Sequence, residues 1–404
     1  MMDMTKRHGR ITGWGMYVPD RVLTNHDLEQ MVDTSDEWIV SRTGIHERRI
    51  AEAGETTSTM SVEAAQRALA RASVSSQELD LIIVATSSPD YLTPPVSSMV
   101  QHQLDAKKAA AFTLGAGCTG FVYALATANQ FIQTGMYDKI LVIGVEHLSM
   151  AVDWTDRNTC VLFGDGAGAV VVETSDQPTG VLSVELGSQG KDWDALIFPG
   201  GGSAKPFSEH TLANKEQYLR MDGRRVFKFA TRAMTDSTLR VVRDSGLSLS
   251  DIELLIPHQA NARIIDLAVR RLKIDPAKVM VNLDHYGNTS AASIPLALCE
   301  AVDQGRLKSG DHCVMVGFGA GLTWAAAVVH WQPEKVDEAP ILVEDWPIRE
   351  RLRQPVTSLR NAMWSAGVAV RSRLQEASTA LLLPLYTWQG RWRKRRKRQE
   401  NKKK

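Results

Sequence analysis

The chain repeats itself, and the repeat limits its fold more than any other feature. The stretch RALARASVSSQELDLIIVATSS runs as a helix, a turn and an apolar strand, and STLRVVRDSGLSLSDIELLIPHQAN follows the same order. Asp80-Leu81 matches Glu253-Leu254, an offset of 173. A second pair, YALATANQFIQTGMYDKILVIGVE and LALCEAVDQGRLKSGDHCVMVGFG, aligns Gly144 with Gly317 at the same offset. Two separate matches at one offset indicate an internal duplication. Each half alternates helices with strands such as LDLIIVAT and KILVIGV, which are apolar without alternation. Such strands belong in sheets covered on both faces, and alternating β and α elements imply a layered α/β architecture.

A length of 404 residues suits two domain-sized units, and 44% hydrophobic residues suffice for a large core. Four cysteines, at 118, 160, 299 and 313, have neither the spacing of a disulfide framework nor that of a zinc site. They read as reduced thiols in a cytoplasmic protein. The first twenty residues lack the apolar centre of a signal peptide, and no run approaches the ~20 apolar residues of a spanning helix. The closing stretch RWRKRRKRQENKKK holds ten Lys/Arg and one Glu, a net of +9. The other 390 residues therefore carry −8 against a whole-chain charge of +1. A mildly acidic body ends in a strongly basic arm.

The offset of 173 carries Cys118 onto Ala291 and Gly115 onto Asn288. GAGC and NTSA thus occupy equivalent turns before equivalent helices, and packing of the halves about a pseudo-twofold axis would bring them together. The helix after Cys118 is expected over residues 119 to 134. A thiol at its start meets unpaired N–H groups and the positive end of the dipole, which lowers a cysteine pKa and makes a nucleophile. A packed core cysteine is the competing reading. His258, in LLIPHQAN, ends a second-half strand; a structural histidine is the alternative to a catalytic one. Asn288, in HYGNTSAAS, is either a turn former or a hydrogen-bond donor. GFGAGLTW, residues 317 to 324, is either a plain glycine turn or a backbone oxyanion donor.

The blocks DTSDEWIVSRTGIHERR, GAGCTGFVYAL, DRNTCVLFGDGAGAVVV, PHQANARI, YGNTSAASIPLAL and GFGAGLTWAAAVV together resemble β-ketoacyl-[acyl carrier protein] synthase III, within the thiolase superfamily. The resemblance runs from about residue 10 to 332. It implies a duplicated α/β/α/β/α layered fold with pseudo-twofold halves, residues 1-175 and 176-332, followed by an unmatched segment 333-404. It implies Cys118, His258 and Asn288 as the catalytic set. Cys118 takes an acyl group from acyl-CoA. His258 and Asn288 then stabilise the enolate formed as malonyl-[acyl carrier protein] loses CO2, and the carbanion attacks the acyl-cysteine. The backbone N–H groups of Cys118 and Ala320 hold the oxyanion, with Ala320 standing where relatives often carry glycine. This chemistry needs no metal and no cofactor.

The same resemblance assigns Trp38, Arg42 and Arg157 to the CoA entrance, with the indole on adenine and the guanidiniums on phosphate. It assigns Lys228, Arg263, Arg224 and Arg225 to the surface that meets the acidic acyl carrier protein. It implies a homodimer, in which a loop residue near Thr93, or Leu92 one position earlier, closes the partner's acyl pocket. Short-chain relatives often have Phe there, so a small residue points to longer acyl primers.

Residues 333-404 hold a Pro- and acid-rich linker, a segment 356 to 383 with Leu359, Met363, Val370 and Leu374 roughly on one side, and the basic arm. Basic, aromatic and aliphatic residues together suit peripheral contact with an anionic membrane, nucleic acid being the rival partner. A solvated tail is the third reading. Two other functions stand against a synthase: another thiolase-fold condensing enzyme or acyltransferase, acting on long-chain acyl-CoA or a secondary metabolite, and a non-catalytic scaffold. A ketone-forming enzyme that joins two acyl-CoAs would be expected to carry a glutamate base near the cysteine, and the sequence places none there convincingly. An intact Cys118, His258 and Asn288 argue against the scaffold.

Overall fold

The structure, a computed structural model, describes residues 7 to 333. These lie within one compact unit, Met1–Ala339. The expected amphipathic segment, basic arm and membrane contact fall outside the described residues.

The elements that build the site are, in chain order, β1 (His8–Tyr17), α1 (Asp36–Thr43), α2 (Thr57–Ala72), β2 (Leu81–Ala85), β3 (Ala110–Leu114), α3 (Gly120–Gln133), β4 (Lys139–Glu146), β5 (Gly166–Ser175), β6 (Gly180–Ser188), α4 (Gly223–Asp244), β7 (Leu254–Pro257), α5 (Ala262–Leu272), α6 (Leu283–Tyr286), α7 (Ser293–Asp303), β8 (His312–Gly319) and β9 (Thr323–His330). The first sheet runs β1-β5-β4-β2-β3 and the second β7-β8-β9-β6. With β6 in the place of β1, β9 of β5, β8 of β4 and β7 of β2, the second sheet repeats the first. The pairing repeats too: β2 with β4 and β7 with β8 are parallel, whereas β4 with β5 and β8 with β9 are antiparallel.

The offset of 173 survives in fine detail. Short 3-10 turns at Ser76–Glu78 and Leu249–Asp251 coincide under it, each in a capping box, Ser75 with Glu78 and Ser248 with Asp251. The 3-10 turns Gly117–Thr119 and Ser290–Ala292 also coincide.

Strands without alternation are buried on both faces, as their composition requires. Ile82, Val84 and Ile143 pack outward with Met60, Ala64 and Ala68 of α2. Ile83 and Val142 face inward, into a cluster shared with Phe121 and Leu125 of α3, Ile294 and Leu298 of α7, and Ile256 and Met315 of the second sheet. Beyond that sheet, Val226 and Met234 of α4 and Ile264 of α5 pack on Leu255 and Val314. The result is helix, sheet, helix, sheet, helix. The central layer is α3 and α7, the two helices that carry the converging turns at their starts. Phe121 is fully buried there, and Phe121→Ala would cost about 3–5 kcal/mol.

Candidate active site

Two turns meet at Cys118. One is its own, Gly117–Thr119, ahead of α3, which begins at Gly120 rather than Thr119. The other is Gly319-Ala320, at the end of β8. They touch backbone to backbone: a Cβ on Gly319 would lie 2.6 Å from the Cys118 nitrogen, so only glycine fits. Thr119 and Thr323 clamp them. Their hydroxyls are 2.9 Å apart, and each donates to the Ala116 carbonyl, at 2.7 and 3.1 Å. A Cβ on Gly117 would likewise lie 2.8 Å from the Ala320 nitrogen, so the backbone N–H groups of Cys118 and Ala320 are brought close together beside the thiol, and both act to lower its pKa.

The thiol is buried, and its pKa does not follow the helix-start expectation. Burial pushes it up to about 11, and the nearby Glu146 carboxyl adds to the rise. Hydrogen bonds from Ser290 and the two backbone N–H groups act the other way but do not compensate. Desolvation of a thiolate outweighs these donors, so the resting group is a thiol. All four cysteines are free and buried.

His258 follows β7 and is buried. Its Nδ1 lies 2.6 Å from Ser293 Oγ, its ring meets Phe318 edge-on at 5.2 Å, and its Nε2 has no hydrogen-bond partner among the described residues. Ser293 Oγ also accepts from the Gln259 N–H at 3.4 Å. With Ser293 as the donor to Nδ1, the imidazole proton lies on Nε2 and is available to a substrate. Burial pushes the ring pKa down to about 3, so the ring is neutral. Asn288 is held by its backbone to the first half: its N–H donates to the Leu162 carbonyl at 2.8 Å, and its carbonyl accepts from Gly164 at 3.1 Å. Its side-chain oxygen accepts the Ser290 N–H at 2.9 Å, which leaves Nδ2 as the available donor.

Three further residues complete the arrangement, and the sequence analysis did not single them out. Ser293 holds the His258 ring through Nδ1. Ser290 Oγ lies within hydrogen-bond distance of both the Cys118 sulfur, at 3.3 Å, and Glu146 Oε1, at 3.0 Å, with one proton to give to either. Glu146 is a glutamate one hydroxyl away from the cysteine, where none was expected. It lies 28 positions downstream; β4 packs on the Ser290–Ala292 turn, and that turn packs on Gly117–Thr119, which brings it in. A carboxylate closing the otherwise apolar strand KILVIGVE was the available signal. Fully buried, its pKa is pushed up to about 7 despite donors from Ser88, Ser87, Ser290 and Thr86.

The outer residues divide. Arg42 and Arg157 both lie over the Trp38 ring, at 4.7 and 5.1 Å, as one cluster; Arg157 also reaches the Asp33 carbonyl at 2.9 Å. Asn261, at the start of α5, donates to the Arg42 carbonyl and ties that cluster to the helix bearing Arg263. Arg224 and Lys228 are exposed one turn apart on α4, and Arg263 is exposed on α5. Arg225 differs: it bonds Asp192 and Asp194, each at 2.8 Å, so its charge is already matched. Leu92 is 85% exposed and Thr93 is exposed. Neither lines a pocket within its own chain. Among the described residues no group of His, Cys, Asp and Glu could hold a metal ion.

The family model for the 3-oxoacyl-[acyl-carrier-protein] synthase III C terminal matches residues 242–331, and that for 3-oxoacyl-[acyl-carrier-protein] synthase III matches residues 112–190. The chain is 56% identical, over 81% of its length and 98% of the relative, to a β-ketoacyl-[acyl-carrier-protein] synthase III of Desulfitobacterium hafniense strain Y51. It is 54% identical to one of Symbiobacterium thermophilum, over 80% of this chain and 97% of that one. The crystal structure of 3-oxoacyl-[acyl-carrier-protein] synthase III from Aquifex aeolicus VF5 superimposes with a TM-score of 0.74 at 47% identity, covering 80% of this chain and all of the other.

Proposed function

The chain belongs to the β-ketoacyl-[acyl-carrier-protein] synthase III family, and on that premise we propose how its residues divide the work. The reaction is a decarboxylating condensation of an acyl-CoA primer with malonyl-[acyl carrier protein], which initiates fatty acid synthesis. One observation carries the assignment of roles: the turns of the two halves touch backbone to backbone at Cys118, Gly319 against the Cys118 nitrogen and Gly117 against the Ala320 nitrogen.

Cys118 attacks the acyl-CoA carbonyl, and CoA leaves. The oxyanion forms where the Cys118 and Ala320 N–H groups point, and each such donor typically lowers the barrier by about 3 kcal/mol. Malonyl thioester then enters. Neutral His258 offers its Nε2 proton and Asn288 its Nδ2 protons to the thioester carbonyl. That stabilises the enolate as CO2 departs. The carbanion attacks the acyl-cysteine, and the β-ketoacyl carrier product leaves.

Trp38, Arg42 and Arg157 take the adenine and phosphates of CoA. Arg224, Lys228 and Arg263 face the acidic carrier protein, with Arg225 serving its own two aspartates instead. The two halves, 1-175 and 176-332, act as one site. A homodimer is part of this reading: the exposed Tyr91-Leu92 tip fits a second copy's acyl pocket better than water. We place the enzyme in the cytoplasm, where CoA and carrier substrates are found, with the basic arm of segment 333-404 as its contact with anionic membrane. No helix among the described residues is long and apolar enough to cross a membrane.

Intact mass after mixing with acyl-CoAs from acetyl to palmitoyl tests the core of this reading. A single acyl adduct on the wild type, absent from Cys118→Ala, is expected, and the best chain length names the primer. No adduct from any acyl-CoA would sink it.

A further inference from the structure

A buried carboxylate and a strained serine stand behind the nucleophile, and the condensation as described uses neither. Under the offset of 173, Ser290 is the counterpart of Gly117. Both adopt left-handed backbone, φ +57 at Gly117 and +50 at Ser290. The first half meets this turn with glycine, which adopts it freely; the second half carries a side chain there against the conformational preference. That side chain is the hydroxyl between Cys118 Sγ and Glu146 Oε1, at 3.3 and 3.0 Å.

We propose that Ser290 and Glu146 form a proton path from Cys118, and that Glu146 holds the thiol proton for as long as the cysteine is acylated. The proposal rests on Cys118 being the acyl acceptor. A hydroxyl has one proton, so Ser290 cannot donate to both neighbours at once. With Glu146 ionised, the chain is S–H to Ser290 oxygen and Ser290 O–H to carboxylate. Moving each proton one place gives a thiolate, a serine hydroxyl turned to it, and a neutral carboxylic acid. The thiolate attacks the acyl-CoA carbonyl, the carbon–sulfur bond to CoA breaks, and the CoA thiolate takes a proton from water. When the carbanion later displaces the cysteine thiolate, the stored proton returns through Ser290. The cycle consumes one proton from water and restores Glu146. While the proton is parked, the malonyl carboxylate enters a pocket that holds no second negative charge.

The surroundings of Glu146 suit this. Its recorded partners are the Ser88 hydroxyl at 2.5 Å, the Thr86 hydroxyl at 3.3 Å, the Ser87 N–H at 3.1 Å and Ser290. None is a cation that would hold it ionised. The neighbouring His147 ring lies 4.0 Å from Asp165 instead, and His258 is engaged with Ser293. With a pKa near 7, the carboxyl can both accept and return a proton.

The test is the single-turnover rate of Cys118 acylation by excess acyl-CoA, read by intact mass from pH 5.5 to 9.5. The wild-type rate should rise with pH and level off above about 7, as Glu146 ionises. Glu146→Gln should lose the plateau, follow hydroxide concentration, and fall about 100-fold at pH 7. Ser290→Gly should give the same profile, and it suits the left-handed backbone, so its fold is secure should Glu146→Gln fail to fold. Acylation by Ser290→Gly, or by a folded Glu146→Gln, at the wild-type rate and with the wild-type plateau would overturn the path. A wild type that forms no adduct would overturn the acyl-cysteine reading itself.

Discussion

The two halves share a plan and differ at one strand, and the difference explains where each put its chemistry. In the first half β3 continues the sheet and runs straight into the cysteine turn. In the second half the matching positions are α6, a single helical turn, and the sheet stops a strand short. The chain after α6 is thus free of a ladder. It bonds across to the first half instead, with Asn288 pairing beside Phe163. The first half keeps its nucleophile on a turn built of glycines. The second filled the same turn with serines: Ser290 in the place of Gly117, Ser293 in that of Gly120. One serves the cysteine and the other orients the histidine. Duplication supplied two helix starts facing each other, and in the function proposed above one carries the nucleophile and the other its set of donors.

This contrast can be broken experimentally, most sharply at the nucleophile. Cys118→Ala should abolish acylation, a loss of roughly 10⁴-fold or more, measured as adduct formation. His258→Ala should leave acylation near the wild-type rate and slow condensation by about 10²–10³-fold. Equal loss of both steps would remove the division of labour between the halves. Gly319→Ala presses a methyl against the Cys118 nitrogen and should slow acylation by about 10²-fold by displacing one oxyanion donor; an unchanged rate would show that the turns yield. Arg157→Ala should raise the KM for acyl-CoA by about 10-fold with kcat little changed, as expected for loss of a charge-assisted contact.

The smallest effect concerns stability, and here the halves should pull in opposite directions. His258 holds a pKa of about 3 in the fold against an ordinary 6.5. Between those values the unfolded chain binds the extra proton, so stability falls as pH falls from 6.5 toward 3. Glu146 holds about 7 against an ordinary 4.5. Over that interval the folded chain binds the extra proton, so stability falls as pH rises from 4.5 through 7. Thermal melts of His258→Asn and Glu146→Gln across pH 4 to 8 should therefore change the wild-type slope with opposite signs. Slopes changed in the same direction would contradict the buried states assigned to them.

Much of this molecule was legible before any coordinates. The repeat predicted the paired sheets because an apolar, unalternating strand can lie only between two covering layers. The offset placed GAGC opposite NTSA because homologous turns sit at homologous ends of homologous helices. The family blocks put forward Cys118, His258 and Asn288 because those residues lie in turns with distinctive neighbours, and the fold brings the turns of Cys118 and Asn288 together. Glu146, Ser290 and Ser293 escaped because their roles are relations between side chains far apart in the chain. Ser290 reads as an ordinary turn serine until its left-handed backbone is compared with Gly117.

The sequence by itself determined the class of fold and its doubling, and it supplied the proposed nucleophile, since these depend on local pattern and on what a residue type can do. Tertiary structure alone decided the protonation of the site. Burial turns the expected thiolate into a thiol, keeps His258 neutral and raises Glu146 toward neutrality, because the cost of a charge depends on the water removed around it. That quantity exists only once the layers have closed.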